Sequence, residues 1–197
     1  MKLQKLAIAS VAVALLSTTP SCSHRIERVS VDETIDLSGN WNDSDSRQVA
    51  EAMVEQVLSA SWISEYNRTH ANKKPVVIVG LVYNKTSEHI NSNTFIKDVE
   101  RAFINSGKVR VVQADEKREA LRQERASQQN YASVETAKQW GKELGADYML
   151  QGDINSITDQ YKKEKVIYYQ TNLELSDLES NEVVWIGDKK IKKYIKN

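Results

Sequence analysis

Residues 75–82 read Pro-Val-Val-Ile-Val-Gly-Leu-Val, a β-branched run with no polar side chain in it. A strand sends successive side chains to opposite faces, so this run is apolar on both and belongs at the centre of a sheet. Lys73-Lys74 bounds it on one side and Asn84-Lys85-Thr86 on the other. A strand of this kind needs neighbours at both edges and cover for its faces. The rest of the chain has to supply them.

Helical stripes lie on both sides of the run. Val49, Ala50, Met53, Val54, Val57, Leu58 and Trp62 recur at i, i+3/i+4, with Glu51, Glu55 and Gln56 opposite. This spacing predicts one amphipathic helix, with Asp43, Ser44 and Asp45 as possible caps. Phe95, Ile96, Val99, Ala102 and Phe103 predict a second helix ended by Gly107, and Lys108–Val112 follows as a short strand. That βαβ spacing favours parallel neighbouring strands with the helix across one face. Glu116–Gln129 is charged almost all round and predicts a surface helix at best. Ser133, Val134, Ala137, Gly141 and Leu144 make a third stripe closed by Gly145, and Ala146–Ile154 is the next strand.

The C-terminal third has period two. Ile167, Tyr169, Thr171, Leu173 and Leu175 alternate with Tyr168, Gln170, Asn172, Glu174 and Ser176, then a turn at 177–181 returns the chain through Glu182–Gly187. The expected fold class is α/β, a single domain with a mixed sheet and helices packed mainly on one face. Lys189, Lys190, Lys192, Lys193 and Lys196 crowd the tail against Asp188. Lysines guard a sheet edge against mispairing, or meet an acidic partner or an anionic surface.

The first residues stand apart. Lys2 and Lys5 precede an apolar stretch, Leu6–Leu16, then a small-residue exit reaches Cys22, the one cysteine of the chain. This is the layout of a secretory signal, too short to span a bilayer, which takes about 20 residues. A single cysteine at the cleavage point forms no internal disulfide. It is read as a lipidated new N-terminus, or else as an incidental cysteine beside an ordinary cleavage site. The expected organisation is signal peptide 1–21, lipidated Cys22 with a short tether 22–37, and a folded domain 38–197. Loss of residues 1–21 takes the formal net charge from 0 to −2, which gives no support for nucleic-acid binding.

Catalytic signatures are missing. His24, His70 and His89 are scattered, so no metal set forms, and no phosphate loop or nucleophile elbow is present. Glu88-His89 is the nearest thing to an acid/base pair, and adjacent polar-loop residues are usually solvated. No catalytic residue, metal or cofactor is expected beyond a covalent lipid on Cys22. Trp62 and Trp140 read as core. Trp41 either staples the first helix or anchors a partner, and one of Tyr168 and Tyr169 faces outward.

Five blocks carry a family resemblance: Asn40–Leu58 region "NWNDSDSRQVAEAMVEQVL", "VVIVGLVYNKT", "VERAFINSGKVRVV", "GKELGADYMLQGDI" and "SNEVVWIGDKKI". In this order, behind a lipoprotein-like signal, they resemble LpoB-type penicillin-binding-protein activators. The resemblance implies a compact α/β domain similar to the TolB N-terminal domain. It also implies a non-enzymatic outer-membrane lipoprotein on the periplasmic side, which stimulates a peptidoglycan synthase by contact. This chain differs from the family in having only about sixteen residues of tether where other members have a long Pro-rich one. The expected partner surface is the loop Asn84, Lys85 and Thr86, with Trp41 and Tyr168 as additions, since a loop held by a central strand presents fixed polar groups. The alternatives are a structural or secretion-accessory lipoprotein that oligomerises at the membrane, and an envelope hydrolase. Neither the partner synthase nor the oligomeric state is legible.

Overall fold

The computed structural model describes residues 26–131 and 143–196. The chain divides after Glu33, and every element below belongs to the unit that begins at Thr34. The elements are α1 (Asp43–Ser59), α2 (Trp62–Thr69), β1 (Val76–Asn84), α3 (Ser92–Ser106), β2 (Arg110–Val112), α4 (Asp115–Tyr131), β3 (Tyr148–Tyr161), β4 (Glu164–Asp177) and β5 (Val183–Lys196).

Asn42 opens α1. Its side chain accepts from the Asp45 amide, and the Asp45 carboxylate accepts from the Asn42 amide, a reciprocal box that satisfies two helix-end donors. The cap is therefore one residue ahead of the three expected, with Asp45 as its reciprocal partner. The single helix expected through Trp62 is two helices. Ala60 is extended, and the indole N–H of Trp62 donates to the Val57 carbonyl at 2.7 Å, turning the chain into α2. Gly107 ends α3 with φ of +63°, a left-handed conformation that costs glycine nothing.

The sheet runs β2-β1-β3-β4-β5. β1 is parallel to both neighbours, and β3, β4 and β5 pair antiparallel. The β-branched run is thus interior, as its two apolar faces require. Val77 and Val79 lie in the main core with Leu150, Ile154, Leu173 and Leu175, under Val49, Met53 and Val57 of α1 and Phe95, Val99 and Phe103 of α3. Val76 and Ile78, which point the other way, are buried as well.

The period-two reading of β4 holds residue by residue. Ile167, Tyr169, Thr171, Leu173 and Leu175 are all buried, while the residues between them line the opposite face. The lysine-rich tail is the edge strand β5, the setting in which lysines discourage edge-to-edge pairing. α4 is solvent-facing, with Leu121 exposed. Most of the third helical stripe, Trp140 included, lies outside the described residues.

Candidate functional site

β3, β4 and β5 are each 14 residues long, whereas β1 has 9 and β2 has 3. The helices α1 and α3 fill one face of this sheet, and on the β3–β5 half the opposite face is open. Register brings Tyr83 beside Asp153, then Asn172 and Asp188. The next rows are Asn155, Gln170 and Lys190, then Ile157, Tyr168 and Lys192.

A chain of hydrogen bonds crosses this face. The Tyr168 hydroxyl donates to Gln170 Oε1 at 3.1 Å, Gln170 Nε2 to Asn172 Oδ1 at 2.7 Å, and Asn172 Nδ2 to Asp153 Oδ1 at 2.9 Å. Lys85 Nζ closes it on Asp153 Oδ2 at 2.7 Å, and Asn155 donates to the other oxygen. Burial alone would push the Asp153 carboxyl up. Lys85, Asn172 and Asn155 outweigh that and hold it below the usual carboxylate range. Tyr83 at 58% and Ile157 at 68% exposure rim the network. A flat face with fixed polar groups and exposed apolar side chains is suited to contact with another macromolecule.

Lys85 and Tyr168, both named for the expected partner surface, are therefore the two ends of one network. Asn84 and Thr86 turn inward on their own loop. Asn84 Oδ1 accepts from the Thr86 amide and hydroxyl, Asn84 Nδ2 donates to the Glu88 carbonyl, and the Glu88 amide donates to Thr86 Oγ1. This ties the loop into a single conformation and leaves Lys85 as its outward member.

Glu88 locks the loop to the core. Its carboxylate accepts from the buried Tyr169 hydroxyl at 2.5 Å and from the Trp41 amide at 2.9 Å. Burial, and next the Glu88 carboxylate, drive the Tyr169 hydroxyl far above the usual tyrosine range. Trp41 packs edge-on to Tyr169, with ring centroids 5.4 Å apart, and its indole donates to Ser46 Oγ in the first turn of α1. These contacts tie Trp41 to the start of α1 and to β4. Glu88 and His89 do not bond to each other, and His89 is exposed, so the adjacent pair has no acid/base geometry.

Sequence reasoning passed over Asp153, Gln170 and Asn172 as chemistry. Their signal was the polar half of the strand alternation, which marks a face without saying what shares it. Glu88 was noticed only beside His89, and its role as a tie had no signal because both its partners are distant in sequence. Among the described residues, no group of three or more His, Cys, Asp or Glu could hold a metal, and no helix is long and apolar enough to cross a membrane. Cys22 lies outside the described residues.

No curated protein matches the chain. Among solved structures it is similar to the LpoB C-terminal domain from Salmonella enterica, at 18% identity over 75% of this chain and 98% of that one, TM-score 0.42. It is also similar to LpoB of Escherichia coli solved by NMR, at 15% identity over 92% of this chain and 85% of that one, TM-score 0.41. A third is lipoprotein GNA1162 from Neisseria meningitidis, at 14% identity over 62% and 84%, TM-score 0.38. The family model for the peptidoglycan-synthase activator LpoB matches residues 45–191, a span from the first turn of α1 to Ile191 in β5. With well over half of its length matched, this chain belongs to the LpoB family.

Proposed function

We propose that the protein is an outer-membrane lipoprotein, anchored through a lipid on Cys22, that activates a class A penicillin-binding protein by direct contact in the periplasm. The observation that carries this reading is the family match over residues 45–191, which covers β1 to β4 and reaches Ile191 in β5. The contact surface is the open face, with the network from Lys85 through Asp153 to Tyr168 across it and Tyr83 on its rim. The protein supplies no reacting group. It acts by binding the active conformer of the synthase more tightly than the inactive one, and the extent of activation is set by that difference in affinity.

The test is a glycan-polymerisation assay with a purified class A synthase and saturating lipid-free protein. A rise in rate is expected, together with its loss in the Lys85→Glu/Tyr168→Ala variant, whose folded state is checked by circular dichroism. No rise with any co-purifying synthase refutes the reading. Mass spectrometry of the protein extracted from cells should find a diacylglyceryl-modified residue 22, and an unmodified cysteine in soluble protein would remove the anchor.

A further inference from the structure

The β3–β4 hairpin turns at Lys162-Lys163, and the end of β5 runs beside it, with Glu164 opposite Lys196, Lys165 opposite Ile195 and Val166 opposite Tyr194. Lys162, Lys163, Lys165 and Lys196 lie at this end with Asp159 and Glu164, and Lys192 stands farther along β5, opposite Tyr168. Lys196 stands 3.9 Å from Glu164, and Lys162 lies over the Tyr161 ring at 5.2 Å from its centroid. Lys163, Lys165 and Lys192 have no ion pair among the described residues. Tyr161 and Tyr194 are 71% and 60% exposed beside them. The site is a rim of long cationic stems and tyrosines beside an open cleft between residues 36–39 and 192–196.

The chain joins the domain at this same end. Lys193 Nζ pairs with Asp36 at 2.6 Å and donates to the Asn40 carbonyl at 3.1 Å, and Gly39 lies so close on Ile195 that a Cβ there would overlap it. The segment that leads back to Cys22 therefore arrives alongside Lys192–Lys196. From Cys22 to Asp36 it is 14 residues long, roughly 50 Å at full stretch and about 20 Å as a flexible coil. An anchor at Cys22 keeps the lysine-bearing end of the domain within that distance of the bilayer.

We propose that the tip of the β3–β4 hairpin, with the last residues of β5, rests on the anionic headgroup surface of the bilayer that anchors the chain. Lysines reach headgroup phosphates while their stems lie against the apolar boundary, and tyrosines sit at the same depth. The short tether makes this contact intramolecular in effect, so a weak patch is sufficient once the lipid is inserted. The orientation rests on the anchor proposed above, but the affinity of the tip for an anionic surface does not.

The test uses the chain from residue 22 onward with Cys22→Ser, sedimented with phosphatidylcholine vesicles with or without phosphatidylglycerol. Binding is expected only to the anionic vesicles and should disappear at high salt, where exposed charges are screened. Lys162→Glu/Lys163→Glu should weaken it by well over tenfold, since each lysine near an anionic surface is worth about fivefold. Lys73→Glu/Lys74→Glu makes the same charge change just before β1, at the other end of the sheet, and should leave binding nearly unchanged. No sedimentation of the parent with anionic vesicles overturns the proposal, as does equal loss in the two variants. Loss of synthase stimulation by Lys162→Glu/Lys163→Glu in a lipid-free assay also overturns it, since the lysines would then serve an acidic protein partner. Vesicle binding without synthase stimulation leaves this proposal standing and removes the activator reading, and the reverse result does the opposite. If the hairpin variants fail to fold, the salt and lipid dependence of the parent still decides.

Discussion

Tyr169→Phe removes one oxygen and tests whether the Glu88 carboxylate is the tie between core, loop and Trp41. The ring is fully buried, and its edge-on contact with Trp41 persists in phenylalanine. What disappears is the hydrogen bond to Glu88 Oε1, which leaves the Trp41 amide on the other carboxylate oxygen. A hydrogen bond to a charged group contributes about 1.5–3 kcal/mol. In a domain of this size each kcal/mol moves the thermal midpoint by about 2–4 °C, so a fall of about 3–12 °C is expected by circular dichroism. Amide exchange should accelerate at Trp41 and across 84–88 before it does in β3 or β4. In a cycle with Glu88→Gln, the two changes should be non-additive by about 1 kcal/mol. The pH dependence has a definite sign. The folded tyrosine holds its proton above the usual range, so its stabilisation is complete below about pH 10, the unfolded value, and declines as pH rises beyond it. The gap between wild type and variant should therefore close on the alkaline side. A midpoint unchanged within about 1 °C, with additive cycle energies, would refute the assignment of Glu88 as the tie.

Gly152→Ala should cost about 3 kcal/mol or more in urea unfolding, because a Cβ would overlap the Asn172 carbonyl oxygen and crowd Leu173 in the neighbouring strand; a loss under 1 kcal/mol would mean the strands separate freely. Thr171→Val should stabilise by about 1 kcal/mol, since the buried hydroxyl has no partner among the described residues and a methyl of the same shape needs none; destabilisation would reveal a bond to it. Lys85→Met should move the Asp153 carboxyl upward, followed by NMR titration. Because the folded carboxyl is depressed, its stabilisation is present above about pH 4 and lost as pH falls through the folded value. Acid unfolding of Lys85→Met should then begin at higher pH, and an unmoved carboxyl would mean that Asn155 and Asn172 alone hold it.

The legible parts of this protein were those set by local pattern. Residues 76–82 are apolar on both faces, and only an interior strand can use them. The stripes of α1 and α3 follow the helical period, and Ile167–Leu175 follows the period of two that one buried face imposes. These are statements about which face of an element avoids water, and neighbouring residues decide that.

Partnership across sequence distance was decided by the tertiary structure alone. Glu88 looked like half of a loop pair with His89, until folding set it between Trp41 and Tyr169, 47 and 81 residues away. Lys85 and Tyr168 were named for one surface with nothing to connect them until β3 and β4 aligned Asp153, Asn172 and Gln170 between them. The lysines of the tail read as edge protection or as a contact for an acidic partner or an anionic surface, and the long β3–β4 hairpin brought Lys162, Lys163 and Lys165 to the same end as the chain's entry at Asp36. Periodicity records burial, which each residue carries in its own side chain. Register and topology determine which polar groups meet, and those follow from closing loops of dozens of residues around a packed core.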